Sequence, residues 1–232
     1  MAHIIGALTY VEVVLPLIAL ALLTKKHALR QYKSLAAILI FLFLGSVADL
    51  VMTHLHPTNR HLLYEIYFYY YWSGSIVEAI LMPIFCYGIL MRLFSSLPEM
   101  RSISTRVFGL FVLLWCARLA SFFFMPHMDS ARLIAVEATQ LKLLEGGLSL
   151  LTAMVVFVCI RPLGLRLRGP LPAFGLGLIF SAMIVFSYQL FTNSPQYYSW
   201  IVIIGGVALC AQLMSWVAAI SWSEPARQIV SV

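Results

Sequence analysis

Seven long apolar stretches, separated by short polar segments, run the length of the chain. They cover roughly 4–23, 35–55, 62–94, 107–126, 131–160, 173–192 and 198–220. About 20 apolar residues suffice for a helix to cross a bilayer, so each stretch predicts one transmembrane helix. The expected fold is all-α: a single domain over residues 1–232, built as a bundle of seven transmembrane helices. The third and fifth stretches are too long for the hydrocarbon layer alone and should tilt, kink or project beyond it. Pro16, Pro83 and the Gly146-Gly147 pair are the candidate kinks. No internal repeat is visible. Helices 1–3 carry four acids, whereas helices 6 and 7 carry no ionisable residue, which speaks against an inverted-repeat transporter.

Composition agrees. Of 232 residues, 62% are hydrophobic and only 10% charged, against about 25% charged in soluble domains. The chain is therefore expected to be a multi-pass membrane protein with no room for a soluble catalytic domain. Its first segment lacks a basic flank and a small-residue cleavage site, so it reads as a helix rather than a cleavable signal. Cys86, Cys116, Cys159 and Cys210 fall in four different apolar segments, as small core residues do.

Charge sets the orientation. Alternate loops hold Lys25, Lys26, Arg30 and Lys33, then Arg92, Arg101 and Arg106, then Arg161, Arg166 and Arg168, with Arg227 in the tail; the opposite loops hold only Arg60 and Arg132. By the positive-inside rule the N-terminus is outside and the C-terminus cytoplasmic. The net charge of +6 then reflects topology and anionic lipid, not nucleic-acid binding.

Eight ionisable residues interrupt the apolar segments: Glu12, Asp49, Glu65, Glu78, Arg118, Glu137, Lys142 and Glu145. Each charge at the bilayer centre costs roughly 2.5–3.5 kcal/mol on the most lenient scale. With the orientation above they gather toward the outer half of five helices. Ser46, Asp49 and Thr53 make one polar stripe on helix 2, and Tyr71, Ser75, Glu78 and Met82 another on helix 3. Lys142 and Glu145 are spaced i, i+3 and can pair. Six acids face two bases, so ion pairing alone leaves four carboxylates over. Those must be protonated, meet water or bind a cation. Two readings stand: buried pairs that staple helices together, or an outward-facing polar pocket in which Arg118 and Lys142 are tied to the acids. Glu12, Asp49, Glu78, Arg118, Lys142 and Glu145 are its candidate ligand- or ion-binding residues.

Helix 3 opens on an aromatic run, Tyr64-Glu65-Ile66-Tyr67-Phe68-Tyr69-Tyr70-Tyr71-Trp72. Tyr and Trp collect at membrane interfaces. The same run could wall a pocket for a cationic or ring-bearing ligand, with Tyr71 and Trp72 as candidate walls. The Tyr69-x-x-Trp72 stretch resembles that of small bacterial seven-helix membrane proteins with a tyrosine-rich third helix. The resemblance spans some thirty residues and implies a multi-pass protein of the inner (cytoplasmic) membrane, with no activity attached. That pattern often carries a further acid near the helix end, where this chain reads Ile84-Phe85-Cys86-Tyr87-Gly88.

His54, His56, His61 and His127 map to the outer loops, three of them within eight residues. A His-x-His pair can hold a divalent metal, such a group can sense pH, and interfacial loops also tolerate histidine without either role. No histidine lies deep in a helix, so a bis-histidine haem b is not expected. Helix 7 has no lysine for a retinal Schiff base. Neither HExxH nor a nucleophile or phosphate-loop motif is present, so enzyme activity is not expected. The leading expectation is a sensor or receptor module that binds a small ligand or ion and signals through partners, with helices 6 and 7 as a possible partner flank. The alternatives are a proton- or cation-coupled transporter and a structural subunit of a larger membrane complex. Gly175, Gly177, Gly205 and Gly206 mark expected close helix contacts.

Overall fold

A computed structural model describes residues 2–54, 60–122, 130–164, 169–193 and 198–223. Within them the chain forms seven helices and no strand: α1 (Ala2–Lys25), α2 (Lys33–His54), α3 (Arg60–Leu93), α4 (Pro98–Phe122), α5 (Ser130–Cys159), α6 (Pro170–Asn193) and α7 (Tyr198–Trp222). Six are long and apolar enough to cross a membrane. The exception is α2, whose apolar run, Lys33–Ala48, is shorter. A lipid bilayer is the environment such a surface requires.

The expected boundaries agree to within a few residues except at α4, which begins nine residues before its apolar run. Pro98 supplies the fixed φ of a first helical position and Glu99 a favourable charge in the first turn. Hydropathy registers the lipid span, not this polar lead-in. Pro170 opens α6 in the same way, with the Ala173 N–H bonded back to the Gly169 carbonyl at 3.3 Å.

The α1–α2 connection closes with a Schellman motif. Ala28 N–H bonds to Leu23 O at 2.9 Å and His27 N–H to Thr24 O at 3.0 Å, with His27 in the left-handed region at φ 53°. Leu23 and Ala28, the pair that seals such a motif, are both fully buried. Lys26 beside them reaches α7, its ammonium donating to the carbonyls of Ser221 and, at 2.7 Å, Ser223. It thereby satisfies two of the carbonyls that a helix C-terminus leaves unpaired.

Six helices form a closed ring: α1 packs on α2, α2 on α3, α3 on α5, α5 on α6, α6 on α7, and α7 returns to α1. α4 lies outside the ring and, among the described residues, touches only α3 and α5. Its spanning segment is 6% buried, against 56% for α6. The charge-free α6 is thus the most enclosed helix, and the apolar flank most open to the surroundings is that of α4.

The tight core lies at the end of the bundle that carries the basic loops. Trp216, Phe85, Phe174, Leu23, Leu35 and Met82 meet there, with Phe85 edge-on to both Trp216 (5.4 Å) and Phe174 (5.5 Å). In lipid, helices gain little from the hydrophobic effect, so close backbone approach and dispersion must hold them. The glycines serve this. A Cβ on Gly177 of α6 would overlap the Trp216 indole of α7, one on Gly175 would press Val156 of α5 at 3.2 Å, and one on Gly206 of α7 would press Leu8 of α1 at 3.1 Å. Gly205 is looser, at 3.6 Å from Ser187 Oγ.

Candidate functional site

Glu78 lies near the middle of α3, and Lys142 and Glu145 near the middle of α5. Because α3 packs directly on α5, the three side chains meet. Lys142 Nζ donates a hydrogen bond to Glu78 Oε2 and lies 3.2 Å from Glu145 Oε2. The i, i+3 pair read from the sequence is present, and the cross-helix partner is Glu78. Lys142 and Glu78 keep a narrow exposed edge (17% and 23%), whereas Glu145 is sealed at 1%. Two carboxylates share one ammonium, so with all three groups ionised the cluster carries a formal charge of −1.

The cluster continues as a polar seam. On α5, Ser149 and Thr152 follow Lys142 and Glu145 at helical spacing, and on α3, Met82 and Cys86 follow Glu78. Cys86 Sγ lies 4.0 Å from Ser149 Oγ. Ser149, Thr152 and Cys86 are all buried. Neither oxygen of Glu145 accepts a well-formed hydrogen bond among the described residues, and Thr152 Oγ1 makes none beyond its contact with the Cys86 thiol. Buried polar atoms left in this state are uncommon and call for a bound partner or a proton. Ser149 and Thr152 are not among the residues expected from the sequence. The signal that would have found them is the run of hydroxyls at i+4 and i+7 from Glu145.

The remaining candidate residues are dispersed. Glu12 on α1 faces α7, where its Oε1 would be 3.3 Å from a Cβ on Gly206. Among the described residues α1 and α5 do not touch. Arg118 is half-buried on α4, a helix that packs against both α3 and α5. Trp72 packs near Phe68, with ring centroids 6.0 Å apart, while Tyr69 is exposed. Tyr70, which the sequence did not single out, abuts Gly45 of α2: a Cβ there would lie 3.3 Å from its hydroxyl. The side chains of Asp49, Tyr71 and Glu137 lie outside the described residues, as do those of His54 and His61 and the whole of His56 and His127. Among the described residues, no three His, Cys, Asp or Glu side chains come together as a metal site.

No protein-family model, curated protein or solved structure matches the chain.

Proposed function

We propose that this chain is a seven-span membrane protein, N-terminus outside, that binds a single positive ion, a proton or a small cation, at the α3–α5 seam and acts as a sensor module through partners. The observation that carries this reading is Glu145: a sealed carboxylate that, among the described residues, shares its one neighbouring cation with Glu78 and accepts no well-formed hydrogen bond. A protein that needed only a helix staple would match one acid to one base. A surplus carboxylate on the same helix face as two buried hydroxyls is suited to taking up positive charge, since an extra charge in a low-dielectric site demands compensation. Ionisable residues within a membrane span are functional candidates for the same reason.

Infrared difference spectra of the full chain in nanodiscs test this. A pH jump or a sodium titration should change a carboxyl band that Glu145→Gln removes. A band that persists unchanged in both Glu145→Gln and Glu78→Gln would sink the assignment. The coupled-transporter alternative differs in needing a second, inward-open state. A cysteine at position 78 that switches its side of access favours transport, whereas constant one-sided access favours the sensor. Co-purification at fixed stoichiometry with a membrane complex would instead favour a structural subunit.

A further inference from the structure

A second feature, independent of the seam, lies at the basic end of the bundle. A cleft of about 310 Å³ opens between the start of α2, the end of α3 and the start of α6. Among the described residues its one formal charge is Arg92, whose guanidinium stacks over the Tyr32 ring at 3.8 Å to the centroid and donates through Nη2 to the Gln31 carbonyl. Among the described residues no carboxylate lies within ion-pair distance of Arg92. The floor is apolar: Phe85 and Phe174 are almost fully buried, and Leu171 stands beside them in the first turn of α6.

We infer that this cleft binds an organic oxyanion, a phosphate monoester or carboxylate with an apolar body, entering from the face that carries the basic loops. Three properties select that class. A guanidinium already positioned on an aromatic ring presents a planar fork of donors to an oxyanion and loses little freedom on binding. The amino end of α6 at the cleft wall adds a dipole field favourable to negative charge, although Pro170 and Pro172 supply no N–H donors there. The aromatic floor accepts an apolar body that a bare inorganic anion lacks, in a volume at the small end of the range for ligand sites.

Phenyl phosphate is a suitable probe, titrated calorimetrically into the full chain in neutral detergent. It should bind saturably, and Arg92→Gln should weaken it about tenfold, as loss of a charge-assisted contact does. Gly88→Leu is the companion variant. Gly88 lines the cleft and a Cβ there meets nothing within 4 Å, so the fold should tolerate leucine while the cleft fills and binding falls with Arg92 still in place. Competition by a short-chain phosphatidylglycerol would assign the anion to a lipid headgroup, and failure to compete would assign it to a soluble ligand. Binding that is equal in wild type, Arg92→Gln and Gly88→Leu would overturn the site. So would equal affinity for phenol, or no binding of either phenyl phosphate or phenylacetate.

Discussion

Lys142 of α5 and Glu78 of α3, 64 positions apart in the chain, form the ion pair that ties the two helices at mid-bundle. Glu145 crowds the same ammonium from one turn along α5. The two acids are not equivalent to the base. Lys142→Met leaves the sealed Glu145 and the part-buried Glu78 without this cation and should destabilise the protein by about 3 kcal/mol. Glu145→Gln removes only the surplus charge and should be neutral or stabilising. Thermal unfolding of the two variants in one detergent checks the asymmetry; equal losses would contradict it.

Gly177 and Trp216 predict a steric result. Alanine at 177 places a methyl group into the buried indole, which also packs edge-on against Phe85. The cost should be about 1–3 kcal/mol, as for other overpacked cores. Trp216→Phe in the same chain should recover part of it, a coupling that a double-mutant cycle measures. Gly205→Ala, at a looser contact on α7, should change stability by less than about 0.5 kcal/mol.

Lys26 holds the C-terminus of α7. Lys26→Met should cost about 1 kcal/mol, the scale of a charge–dipole contact at a helix end. It should also speed amide exchange in the last turn of α7 while leaving the α3–α5 seam protected. Uniform loss of protection would assign Lys26 a global role instead.

His27 occupies a left-handed position that a side chain disfavours. His27→Gly should raise stability by about 1 kcal/mol, because glycine adopts this conformation without the Cβ clash. Denaturant midpoints of His27→Gly and His27→Ala, compared with wild type, report the difference. A stabilising alanine would show that the backbone there is not the limiting term.

Orientation is testable at the exposed α3–α4 connection. In intact cells a membrane-impermeant maleimide should leave Ser96→Cys unlabelled, and label it once the membrane is opened. Labelling without permeabilisation would reverse the proposed topology.

Much of the fold was legible because bilayer thickness imposes a length on apolar runs. α7 and α5 could be bounded almost to the residue from hydropathy alone. The start of α4 could not, since its first turns are polar and their signal was a single proline. The Lys142–Glu145 pair was legible because it is local, fixed by helical spacing. Glu12 looked equivalent to Glu145 on the page of sequence, yet it faces α7 while Glu145 faces α3.

The sequence by itself determined that the chain is a succession of long, mostly apolar helices, that acids outnumber bases within those apolar segments, and at which glycines helices approach. These depend on residue type and on periodicity along one helix. Only the tertiary structure decided that Lys142 takes Glu78 and not another acid, that α4 stands outside the ring, and that Arg92 rests on Tyr32 at the mouth of a cleft. Those outcomes depend on which helices become neighbours and how each is rotated. With lipid as apolar as the side chains it meets, hydrophobicity does not specify that choice. Shape does, through notches such as Gly177 under Trp216, and so does the need of each buried charge for a partner.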